Sequence, residues 1–138
     1  MEFEENAFKE IAENQIGFFG GAGQMLIPSR KTVEALIRKI PASQLITTDL
    51  LRKRLADDFG VQGTCPVTTK KVLRVIASDA DEDVAYWRVI KQSGELIAYF
   101  PGGVEAQAAL LGEEGFSFET SGKVPKVRKF KESLVHFD

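Results

Sequence analysis

Apolar residues recur at helical spacing through the middle of the chain. Val33, Leu36, Ile37 and Ile40 stand at i, i+3, i+4 and i+7, with Ser29 as a cap before them and Pro41 as a stop after them. Leu51, Leu55 and Phe59 line one face of a second predicted helix. It starts at Thr47 or Thr48, carries Asp49 against the positive end of its dipole, and stops at Gly60. A third helix is predicted behind a cap at Thr64 or Cys65, with Pro66 in its first turn and Val72, Val75 and Ile76 as its buried stripe. Two short helices joined by a few residues including glycine have the shape of a helix-turn-helix.

The flanks read differently. Residues 4–14 place Phe8 and Ile11 three apart among charges, which predicts a short amphipathic helix. Gly17, Gly20, Gly21 and Gly23 then break regularity around Phe18 and Phe19. The stretch lacks the lysine and spacing of a phosphate cradle, so it reads as a connecting loop with both rings tucked into the core. Residues 86–90 and 96–100 are β-prone around a turn at Ser93-Gly94, and they predict a hairpin, or wing. Gly102-Gly103 opens a last helix with Val104, Ala108 and Leu111 on one side, ended by Gly115. The expected fold is mainly α with a small β hairpin, a winged helix-turn-helix DNA-binding domain. It spans 28–116, between an N-terminal helix with its Gly-rich connector (1–27) and a basic, mobile tail (117–138).

Charge sharpens this picture. The net charge of −2 argues mildly against nucleic acid, but its distribution argues for it. Residues 30–74 carry ten Lys or Arg against four Asp or Glu, and 123–131 add five cations, while 1–13 and 79–83 are acidic. A phosphate backbone responds to the local field. With one cysteine, Cys65, and one histidine, His136, the chain cannot build an internal disulfide or a closed zinc site, and no metal or cofactor is expected. No signal-peptide pattern and no apolar run of membrane length are present, so a cytoplasmic monomer without a membrane partner is expected.

The stretch from Trp87 to Gly115 resembles the end of the DNA-binding domain of alkylguanine-DNA alkyltransferases. Arg88, Val89, Gly94, Leu96, Tyr99, Gly102, Gly103, Leu110, Leu111, Glu114 and Gly115 carry the likeness. Upstream, the apolar helix ending in Ile40-Pro41 resembles the same family. The family's Pro-Cys-His-Arg-Val motif falls on Ala85-Tyr86-Trp87-Arg88-Val89. Tyr86 therefore stands at the alkyl-accepting cysteine and Trp87 at the proton-relaying histidine. A phenol, with a reference pKa of about 10, does not replace an activated thiolate. The chain accordingly resembles the alkyltransferase-like branch, which binds alkylated DNA without repairing it, and no enzyme activity is expected.

The resemblance implies that the second helix of the pair enters the minor groove and that a damaged base rotates into a pocket. Thr68, Lys70, Lys71 and Arg74 are the expected DNA contacts, with a solvated helix face as the alternative. Lys71 matches the arginine that fills the vacated space, and Thr48 stands where the family keeps a tyrosine. Tyr86, Trp87 and Tyr99 are candidate linings of the base pocket; Tyr86 and Trp87 read equally well as a structural pair, and Tyr99 as packing against the helix behind it. Arg88 is expected to hydrogen-bond within the domain, Glu114 to be solvated near a helix end, and Cys65 to be structural. The expected partners are double-stranded DNA and a DNA-repair protein. The competing function is a protein-interaction domain on a winged-helix frame that has lost DNA binding.

Overall fold

The computed structural model describes residues 3–79 and 83–137, so Asp81 and Glu82 of the acidic run lie outside the described residues. The predicted central helices form. Helix α2 (Arg30–Arg38) is capped by the Ser29 side chain, which accepts from the Thr32 N–H. Helix α3 (Thr48–Phe59) ends on Gly60 at φ 66°, a left-handed residue that glycine adopts without strain. Helix α4 (Pro66–Asp79) begins at the proline, whose missing N–H costs nothing in a first turn. Helix α5 covers Gly103–Glu113. The main core joins Val33, Leu36 and Ile37 of α2, Leu51 and Leu55 of α3, and Val72, Leu73 and Ile76 of α4. Leu26, Ile40, Ile46, Val89, Ile97 and Phe100 also belong to it. Val75 is only half-buried; Leu73 takes the place in the stripe that was expected of it.

The N-terminal segment is not a helix. Residues Ala7–Glu10 form strand β1, antiparallel to β2 (Gln24–Ile27), and β2 runs parallel to the short strand β4 (Gly63–Thr64) between α3 and α4. All four residues of β1 are exposed, so there is no apolar helix face to bury. Phe8 lies against the Phe59 ring, 6.1 Å between centroids, while Ile11 alone turns into the core. The glycine-rich segment contains a single helical turn, α1 (Ile16–Phe19), and leaves Phe18 exposed where both rings were expected inside.

The hairpin is also replaced. Residues Tyr86–Arg88 form a 3-10 turn, and β5 (Val89–Ile90) pairs in parallel with β3 (Ile46–Thr47). The second expected strand does not form, and Leu96 and Ile97, both fully buried, lack the alternation of a strand with one wet face. Their backbone donors go elsewhere: Leu96 N–H to the Pro125 carbonyl and Ile97 N–H to the Gln107 side chain.

The basic tail is folded. Strands β6 (Phe118–Glu119) and β7 (Lys126–Val127) pair, and Leu45 exchanges backbone hydrogen bonds with Ser133 and Val135. Val127 and Phe130 join Leu45, Ile90, Leu96 and Leu111 in a second core. Phe130 fits because Gly94, at φ 90°, has no Cβ; one built there would lie 2.4 Å from the ring. Among the described residues, no helix is long and apolar enough to cross a membrane.

Candidate nucleic-acid interface

Three elements meet around an open cleft of about 480 Å³. Helix α3 supplies Thr48 and Arg52, one turn apart and hence on one face; α4 supplies Pro66, Thr69, Lys70 and Leu73. Lys91 and the Ile97–Ala98–Tyr99 segment close the third side. Among the described residues the lining holds three cations, Arg52, Lys70 and Lys91, and no carboxylate. A polyanion is the complementary ligand for such a concavity.

Tyr99 is the aromatic wall. The Lys70 ammonium lies 5.2 Å and the Arg74 guanidinium 5.5 Å from its ring centroid, and the Phe100 ring meets it edge-on. Burial raises the pKa of the Tyr99 hydroxyl, and the Arg74 charge offsets part of that rise. Tyr99 thus packs against the helix behind it and also lines the cleft.

The other expected residues divide. Lys70 lines the cleft, Arg74 flanks it through Tyr99, and Thr68 and Lys71 lie on α4 outside the lining, half-buried and exposed respectively. Tyr86 and Trp87 are not in the cleft wall. Their rings meet edge-to-face at 5.4 Å, and Tyr86 meets Phe100 in the same way at 5.1 Å, so they form an aromatic layer next to Tyr99.

Glu114 holds that layer in place, contrary to the expectation that it is solvated. It accepts from the Trp87 indole N–H at 2.5 Å, from Arg88 Nε at 3.0 Å and from the Ser43 backbone N–H at 2.7 Å. Arg88 also donates to the Ile40 carbonyl at 2.8 Å, which bears out its internal role. Burial pushes the Glu114 carboxyl pKa up, but the donors from Ser43, Trp87 and Arg88 outweigh it and the net shift is downward.

Gln107 and Arg52 were not singled out from the sequence. Gln107 is buried in α5, where its side-chain oxygen accepts from Ile97 N–H at 2.7 Å and its nitrogen donates to the carbonyls of Trp87 and Val89 at 3.0 and 2.9 Å. It ties the third wall of the cleft to the segment bearing the aromatic layer. The signal was available: Gln107 falls at i+3 in the stripe Val104, Ala108, Leu111, a polar residue on an apolar face. Arg52 was equally legible as the residue one turn after Thr48.

Cys65, the sole thiol, is half-buried and outside the cleft lining. Its N–H bonds the Leu26 carbonyl, and its own carbonyl accepts from the Thr69 hydroxyl at 2.7 Å, a structural placement.

No protein-family model and no curated protein sequence matches the chain. Solved structures do. The structure of S. pombe Atl1 in complex with damaged DNA containing O6-carboxymethylguanine superposes with a TM-score of 0.56 at 18% identity, covering 78% of this chain and 94% of that one. A structure of S. pombe ATL in complex with DNA gives a TM-score of 0.57 at the same identity and coverage. The chain therefore shares the fold of these DNA-bound proteins.

Proposed function

We propose that this protein binds double-stranded DNA carrying an alkylated or distorted base and does so without transferring the alkyl group. The observation that carries the reading is the cleft. It is open, lined by Arg52, Lys70 and Lys91, walled by Tyr99 and free of any thiol, on a fold shared with proteins solved on DNA. In this reading α3 and α4 act as a helix-turn-helix, and the loop through Tyr99 acts as the wing. Helix α4 lies in the minor groove with Thr68, Lys70, Lys71 and Arg74 against the backbone. Rotating a base out costs a few kcal/mol and costs least for a damaged one, so a fitted cleft selects damage. Tyr99 provides the face on which the base stacks, and Tyr86 with Trp87 is linked to it through Phe100. A repair protein that reads the complex is the expected downstream partner.

The chemistry is tested by recovering the protein from a gel-shifted complex with an alkylguanine duplex and measuring its intact mass. An unchanged mass in a stable complex is expected. Gain of the alkyl group, at Cys65 or elsewhere, would contradict a non-catalytic role.

A further inference from the structure

We propose that Phe18 is a second stacking contact, one that lies against a base step of the duplex beside the cleft; the inference rests on the DNA-binding reading above. Phe18 is 65% exposed, and it is the most exposed large apolar side chain of the described residues. Its loop is nevertheless firmly seated. The Phe19 ring stands directly on the backbone of Gly63, where an added Cβ would come within 2.2 Å of it. Gln62 Nε2 donates to the Phe19 carbonyl at 2.8 Å. Phe18 meets Phe19 edge-on at 5.0 Å, so a docked ring holds an exposed one.

Position decides what the exposed ring can touch. The Arg52 guanidinium lies 5.6 Å from the Phe18 centroid, and Arg52 also lines the cleft. Arg52 is therefore shared between the cleft and a neighbouring depression of about 420 Å³ bounded by Phe18, Phe19 and the exposed side of α3. The depression is mixed in charge: Asp57 is paired with Lys53, while Asp49, in the first turn of α3, leaves one carboxylate oxygen without a hydrogen-bond partner, so the attraction for phosphate rests on Arg52. A ligand whose phosphates engage Arg52 from the cleft side brings its next residue over Phe18. Duplex DNA has both parts, a polyanionic edge and flat apolar faces at its base steps. Apolar side chains wedged between base steps from the minor groove are an established mode of contact. With its backbone segment anchored through Phe19, Phe18 has less conformational freedom to lose on binding than a ring on a free loop.

The test compares the full chain with Phe18→Ala and Phe18→Trp by anisotropy on an alkylguanine duplex, with 2-aminopurine placed next to the lesion as a stacking reporter. Phe18→Ala is expected to weaken binding about tenfold, the scale of one lost base–aromatic stack, with the salt dependence unchanged because no cation is removed. The 2-aminopurine response is expected to fall in Phe18→Ala to the part that base rotation alone produces, and to return to the wild-type value in Phe18→Trp. Because the ring is exposed, urea midpoints of the three proteins should coincide. Wild-type affinity and 2-aminopurine response in Phe18→Ala would overturn the proposal and leave DNA binding intact, reassigning the ring to a protein contact. Failure of the unaltered protein to bind the duplex would remove the DNA reading and this proposal with it.

Discussion

Glu114 is a carboxylate on which three donors of different kinds converge. In the resemblance its partner is a histidine; here an indole N–H, a guanidinium and a backbone N–H converge on it. The group is mostly buried, so the loss of these charge-assisted bonds is not recovered from water. Glu114→Gln is expected to cost about 2 kcal/mol at neutral pH, within the range for hydrogen bonds to charged groups. The folded pKa is lowered, so the stabilisation is complete above the unfolded value and disappears as pH falls through the folded one. Urea denaturation of wild type and variant should therefore differ at neutral pH and converge in acid. A constant gap across pH would mean that the carboxylate charge is not what the site uses. The residue scale is also where the sequence was read least well. That Tyr86 and Trp87 depart from the resembled motif was visible, but that Trp87 would donate to Glu114 was not, because tryptophan and histidine share only an N–H and a plane.

At the level of elements, the central helices were legible, whereas the helix expected over residues 4–14 is strand β1 and the connections were not legible. Helices α2, α3 and α4 follow from period, cap and stop signals that act within a few residues. Residues 96–100 are β-prone in isolation, yet Gln107 and Pro125, both distant in sequence, take the Ile97 and Leu96 backbone donors. Tertiary partners overrode local preference there. The same competition makes Gln107 a sensitive position. Replacing it with leucine keeps the volume but leaves the Ile97 N–H and two carbonyls without their partner. Gln107→Leu is expected to lower stability by about 3 kcal/mol, since buried polar groups left unpaired cost about 1–3 kcal/mol each and some relaxation follows. Chemical denaturation measures it directly. A loss below about 1 kcal/mol, the range of an exposed substitution, would show that these bonds do not hold the cleft wall.

For the whole molecule, the segments outside the family likeness form part of one body with it. Strand β2 pairs with β4 between α3 and α4, and the tail contributes Val127 and Phe130 to a shared core. The basic tail read as mobile because its Lys and Arg residues mask its apolar ones, among them Val124, Val127, Phe130 and Leu134, spaced about three apart. Charge segregation was legible in part: Arg52 and Lys70 of the cleft come from the basic 30–74 stretch, whereas Lys91 lies outside it and the basic tail lines none of the cleft. Because those cations face one concavity, a net charge of −2 does not argue against the proposed polyanionic ligand. The most direct measurement is fluorescence anisotropy on two matched duplexes, one with an alkylated guanine and one unmodified, at two salt concentrations, for wild type and Lys70→Ala. Tighter binding to the alkylated duplex is expected, weakening steeply with salt, with Lys70→Ala reducing the log–log salt slope by about one. Absence of binding to either duplex at low salt would contradict DNA recognition and leave a protein-interaction domain on this frame.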